Sequence, residues 1–181
     1  MTATATPTST VSIPAGVRIN EILPVPGTVD WNGDGVVNVQ DQWIELYNAG
    51  STTADLGGWS ITRISEAEQE SGSGRQTAQE GQYTLPAGTM LPPGAFLVVY
   101  GSQSGLVLDT AGGQVRLLDS QEQEVDRVVY GVLAPDVSLN RAEDGTWYTS
   151  LQPTPGAANT PALATTRATR RRVGRPAGRG R

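Results

Sequence analysis

The sequence predicts an all-β fold, with two antiparallel sheets packed as a sandwich. Three observations lead there. From Val17 onward, segments of four to seven residues rich in Val, Ile, Leu and aromatics alternate with Gly, Pro, Asn and Asp punctuation. No run of ten or more residues carries a convincing 3.6-residue period. Twenty-two Gly and twelve Pro also weigh against helices, whose interiors tolerate neither well. A chain of 181 residues suits one domain with tails.

The elements follow in order. Residues 1–12, Thr/Ala/Pro-rich, read as a disordered lead. Val17–Leu23 is the first strand and Trp43–Asn48 the second. In the second, alternation puts Ile44 and Leu46 on one face and Trp43, Glu45 and Tyr47 on the other. Trp59–Ile64 and Gln82–Leu85 come next, separated by the polar, patternless stretch Glu66–Gly81, which reads as a long surface loop. Ala95–Tyr100 is apolar on both faces and predicts a central strand. In Val115–Asp119, Val115 and Leu117 alternate with Arg116, as a half-exposed strand should. Val125–Tyr130, Ser138–Arg141 and a short Trp147–Thr149 complete the set. Short antiparallel strands in this number suit two sheets whose inner faces share one core. The division is therefore a lead over 1–12, a sandwich over 13–160 and a disordered Arg-rich tail over 161–181.

Composition narrows the chemistry. The chain has no Cys, which excludes disulfides and thiolate sites. It has no His, the commonest general base and catalytic zinc ligand, and no Lys, so Schiff-base chemistry is absent too. Acids are plentiful, but nothing singles out a catalytic pair. The expectation is a non-enzyme, with no catalytic residue. Residues 1–166 hold six Arg against all eighteen acids, a net of −12, while 167–181 hold seven Arg and no acid. The body should repel nucleic acid and anionic membrane, and the tail attract both. No stretch approaches the roughly eighteen apolar residues that span a bilayer. The N-terminus lacks signal-peptide regions, although its low complexity is like the linkers of exported proteins.

The most specific chemical statement is DWNGDGVVNVQD, Asp30 to Asp41. With Asp30 as position 1, oxygen side chains fall at position 3 (Asn32), 5 (Asp34), 9 (Asn38) and 12 (Asp41). Position 6 is Gly35, which permits a sharp turn, and position 7, Val36, would offer its carbonyl. Calcium takes about six to eight oxygens, and a loop of this spacing wraps one ion. A bare hairpin is the alternative, since Asn32-Gly33 and Asp34-Gly35 are turn dipeptides in their own right. A bare turn has no need of further oxygens at the ligand positions, and close carboxylates without a cation repel one another. The helix–loop–helix calcium pattern expects Glu at position 12; with Asp41 there, the run D-x-N-x-D-G-x-x-N-x-x-D resembles the calcium loop of dockerin modules instead.

The strand sequences carry a second resemblance. Val17-Arg18-Ile19-Asn20-Glu21-Ile22, then Trp43-Ile44-Glu45-Leu46-Tyr47-Asn48, then Asp55-Leu56-Gly57-Gly58-Trp59-Ser60-Ile61 resembles the opening of a bacterial lamin-tail domain. Tyr83–Thr89 with Leu91–Val99, Val125–Tyr130, Ser138–Arg141 with Asp144–Trp147, and the closing Thr154-Pro155-Gly156-Ala157-Ala158-Asn159 are similar to that family's later motifs, in order. The resemblance implies an immunoglobulin-like β-sandwich. In bacteria it implies an accessory module of secreted or surface proteins, often beside nucleases or other hydrolases. The calcium-like loop sits between the first two strands as an insertion.

Three further groups stand out. Glu21 and Glu45 flank the loop and are candidates for additional calcium oxygens; otherwise they pair with Arg or cap backbone amides at the sandwich end. Trp31 lies at a non-ligand loop position and is a candidate exposed contact, whereas Trp59 and Trp147 read as core. In the tail, Gly174-Arg175-Pro176 resembles the centre of an AT-hook, making Arg170, Arg171, Arg172, Arg175, Arg179 and Arg181 candidate nucleic-acid contacts; a solvated cationic tail is the alternative. The expectation is a monomeric, extracellular or cell-surface calcium-binding module with a protein or surface partner. Its alternatives are a DNA-tethering protein and an accessory fragment of a secreted nuclease or hydrolase.

Overall fold

A computed structural model describes residues 16–65 and 81–160. The strands are β1 (Val17–Leu23), β2 (Trp43–Asn48), β3 (Ala54–Asp55), β4 (Ser60–Ser65), β5 (Gln82–Thr84), β6 (Met90–Leu91), β7 (Phe96–Tyr100), β8 (Gly113–Leu118), β9 (Glu124–Tyr130), β10 (Ser138–Arg141) and β11 (Trp147–Ser150). A five-stranded sheet, β11-β10-β1-β2-β7, faces a four-stranded sheet, β5-β4-β8-β9, and β3 pairs with β6 in a small ribbon. Every pairing is antiparallel. This is the all-β, immunoglobulin-like sandwich that the sequence predicts. The tails and the stretch 66–80 lie outside the described residues.

Alternation builds the core as expected. Ile19, Ile22, Ile44, Leu46 and Val99 of the five-stranded sheet pack with Ile61, Val115, Leu117, Val128 and Tyr130 of the other. A polar strut crosses between the sheets. Asp126 on β9 accepts the Ile19 amide at 2.8 Å and the Arg141 guanidinium at 2.5 Å, next to a bulge between Ile19 and Glu21.

Two expectations need correction. Phe96–Tyr100 is an edge strand of its sheet rather than a central one. Its second apolar face is explained by neighbours on the same surface: Phe96 stacks on Tyr47 with ring centroids 4.7 Å apart, and Tyr100 pairs in register with Trp43. The strands β3 and β6 are also absent from the sequence reading, because two residues are too few to show alternation.

The outer face of the five-stranded sheet is not left to water. Glu21, Leu23, Trp43 and Glu45 are all buried, yet none belongs to the central hydrophobic cluster. They are covered by the β1–β2 connection and by the segment after β11. The end of that connection is a 3-10 turn, Val39–Asp41, seated against the one-turn helix α1 (Gly101–Ser104). Gly101 allows this approach: a Cβ there would stand 2.9 Å from the Val39 carbonyl oxygen. Its amide donates to the Gln42 carbonyl at 2.7 Å. Buried Gln42 donates to the Pro24 and Leu108 carbonyls and accepts the Leu108 amide, so one side chain ties the two ends of the β1–β2 connection to the segment before β8. Among the described residues, no helix is long and apolar enough to cross a membrane.

Candidate metal centre

The β1–β2 connection is anchored at both ends and open in the middle. On the near side Asp136, from the loop before β10, accepts from the Gly27 and Thr28 amides, the Thr28 hydroxyl and Trp31 Nε1. Asp136 has φ +56°, a left-handed conformation that Asp tolerates better than most residues. Burial pushes its pKa up, but the Thr28 and Gly27 amides and the Trp31 donor outweigh this and hold it below the usual carboxylate range. Trp31 stands edge-on to Trp43, with centroids 6.2 Å apart and planes at 64°. The candidate contact residue is therefore half-buried and serves to seat the loop. Of the two tryptophans read as core, Trp59 is buried in it, and Trp147 is partly buried against it.

Between these anchors the six predicted positions fold inward around one another. Asp30 accepts the Gly33, Asp34 and Gly35 amides at 2.8, 3.1 and 2.7 Å. Asn32 Oδ1 accepts the Asp34 amide, and Asp34 Oδ1 accepts that of Val36, both at 2.8 Å. Asn38 Nδ2 approaches the Val36 carbonyl at 3.4 Å, and Asn38 Oδ1 caps the 3-10 turn through the Gln40 amide. Asp41 closes the ring. Its two oxygens accept the Asn32 and Asn38 amides at 3.0 and 2.8 Å, so it grips both halves of the loop. Gly35 turns the chain at φ +92°, a conformation that would strain any residue with a side chain.

Electrostatics set Asp41 apart. It is fully buried, and burial raises its pKa; the Asn32, Asn38 and Trp31 amides and the neighbouring Asp30 carboxyl outweigh that, and the net direction is down. Asp41 is thus ionised at neutral pH with the Asp30 carboxyl beside it, and two neighbouring carboxylates repel one another. Asp30 Oδ1 takes two amides, but Asp30 Oδ2, Asn32 Oδ1 and Asp34 Oδ1 each take one and retain a further lone pair. The donor set, three carboxylates with two amide oxygens and a carbonyl, fits a hard cation such as calcium. No three Asp, Glu, His or Cys side chains among the described residues converge as a metal cluster by themselves. A cation here would draw on the amide and carbonyl oxygens as well.

Glu21 and Glu45 face one another across β1 and β2, fully buried. Their carboxylates are taken up by the closing segment. Glu21 accepts the Thr154 amide and hydroxyl, and Glu45 accepts the Gly156 amide at 2.6 Å and Asn20 Nδ2 at 2.8 Å. Asn159 adds donors to the Asn20 and Arg141 carbonyls. They cap backbone amides, which was one of the two roles expected of them. Burial raises the pKa of Glu21; burial, helped by the Glu21 charge, lifts that of Glu45 to about 7. The tail arginines Arg170, Arg171, Arg172, Arg175, Arg179 and Arg181 lie outside the described residues.

A two-sheet antiparallel sandwich of this kind has the architecture of an immunoglobulin-like module. The chain belongs to the lamin tail domain family, which its residues 10–132 match. The family is one of non-enzymatic immunoglobulin-like domains. Among curated proteins, none matches the chain.

Proposed function

We propose that this is a calcium-binding, calcium-stabilised interaction module of an exported bacterial protein, with the ion held between β1 and β2. The observation that carries the proposal is the inward folding of Asp30, Asn32, Asp34, Val36, Asn38 and Asp41, with two carboxyls touching and no cation side chain among their bonded partners. A divalent ion would relieve that repulsion and fix the exposed middle of the loop. Val36, Val37 and Val39 are exposed there, so fixing the loop would also fix an apolar surface for a partner. Affinity on the order of 0.1–1 mM suits an Asp-terminated loop and an extracellular setting, where calcium is abundant. The loop is read as a dockerin-like insertion in the lamin-tail framework.

The test is calorimetry with millimolar calcium on the wild type and on D34A, chosen because Asp34 is exposed and bonds only locally. Saturable heat in the wild type and none in D34A is the expected result. No heat in the wild type, with a melting curve indifferent to EGTA, would remove the proposal.

A further inference from the structure

A second site lies on the outer face and shares no residue with the calcium loop. A cleft of about 600 Å³ opens between the β1–β2–β7 surface and the β10–β11 hairpin. This is within the range of small-molecule pockets. Its floor is one row of the sheet, Arg18–Tyr47–Phe96, in register across three strands. The Arg18 guanidinium lies 5.4 Å over the Tyr47 ring, and Tyr47 stacks on Phe96. Tyr148 and Ala142 form the hairpin wall, and Ala158 with Asn159 closes the end.

The polar groups of this cleft are nearly all spent inside the protein. Asn20 and Asn159 bond each other. Arg141 is paired with Asp126 at 2.5 Å, and the Tyr148 hydroxyl donates to the Thr160 carbonyl at 2.8 Å. Arg18 differs: among the described residues its side chain has no ion pair and no hydrogen bond, whereas Arg141, whose Nε is also buried without an acceptor, is anchored through Nη1. A planar guanidinium held against an aromatic wall, with its terminal nitrogens unpaired, matches a carboxylate with an apolar body beside it. Multiply charged anions fit less well. Glu143 and Asp144 stand exposed at the rim, and residues 1–166 carry a net of −12.

We infer that this cleft binds a monocarboxylate carried on an apolar or aromatic body, with Arg18 taking the carboxylate and the Tyr47–Phe96 wall taking the body. N-acetylphenylalanine is the probe, and its neutral amide and inorganic phosphate are the controls. The assay is an NMR titration of the full chain, following the Arg18 side chain and the Tyr47 and Phe96 rings. Saturable shifts are expected for the acid at up to about 10 mM, at least about tenfold weaker for the amide and for phosphate. R18Q should lose about the same factor, and R18K, which keeps the charge without the fork, should also bind more weakly. Unchanged melting of R18K and R18Q shows that the fold is intact. Equal binding of acid and amide, equal binding by R18Q, phosphate binding as tightly as the acid, or no saturation would each overturn the inference.

Discussion

Glu45 gives the sharpest test of how the outer face is built. It is fully buried, and its pKa is lifted from 4.5 to about 7. A raised folded-state pKa means that the folded state prefers the neutral acid. Its stabilising effect is fully present below pH 4.5 and is lost as pH rises through about 7. The rise from 4.5 to about 7 corresponds to about 3 kcal/mol between about pH 4 and pH 8. The perturbation is E45Q, a neutral near-isostere. Gln offers one acceptor to two donors, Gly156 N–H and Asn20 Nδ2, so at acid pH the variant should be less stable by about 1 kcal/mol. At about pH 8 the wild type carries the buried charge and the variant does not, so the variant should be the more stable by about 2 kcal/mol. Urea unfolding of both proteins at the two pH values measures the difference and cancels other titrating groups. A difference of constant sign and size across that range would refute the reasoning, because it would mean that Glu45 is charged in both states or in neither.

Other outcomes follow from the same contacts. Calcium at about 10 mM should raise wild-type stability by about 1.4–2.7 kcal/mol if affinity lies near 0.1–1 mM, and leave D34A unmoved in thermal melting. D136A removes four acceptor contacts at the loop entrance and should cost about 2 kcal/mol, measured by urea unfolding, and also red-shift tryptophan emission as Trp31 is freed to water. D126A orphans the Ile19 amide and the half-buried Arg141 between the sheets and should cost about 2–4 kcal/mol, read in the same way. N159A breaks the clasp on the Asn20 and Arg141 carbonyls; amide hydrogen exchange should accelerate at Thr154 and Gly156 before any strand opens.

What the sequence disclosed depended on how local each signal was. Alternation in Val115–Leu117 reports burial residue by residue, whereas in Trp43–Asn48 it separates two faces that are both buried, Ile44 and Leu46 in the core and Trp43 and Glu45 under the covering segments. The six loop positions were legible because they lie within twelve consecutive residues and fold upon themselves. By contrast, the apolar run Phe96–Tyr100 looked the same as a central strand, since a sequence does not distinguish a second sheet face covered by protein from one lined by its own aromatic neighbours. Asp136 was invisible as an anchor: its partners lie 105 to 109 residues away, and its only local mark is a turn-forming Pro135-Asp136 pair. Glu21 and Glu45 were noticed, but a partner segment 111 to 133 residues downstream gives no spacing to read. Arg18 drew attention only as part of a strand motif. Its lack of a partner is a property of the assembled surface.

These long-range ties link the loop to the sandwich. The β1–β2 connection roofs Trp43 through Trp31, while Asp41 holds the loop's two halves together at the foot of β2. An ion in the loop would therefore stiffen the roof over a buried indole. Trp43 Nε1 has no hydrogen-bond partner, so the roof shuts that donor from water at a cost that burial of the indole ring must offset. The ring contact is edge-on and adds only about 0.5–1.5 kcal/mol beyond the area it buries, so the roof is seated by Asp136 and Gln42 as much as by the aromatic pair. Calcium titration followed by tryptophan emission should then report the loop directly. The change should persist in W147F, whose indole lies by Arg141, and vanish in W31F. Emission that followed calcium equally in W31F would place the ion's influence elsewhere in the sandwich.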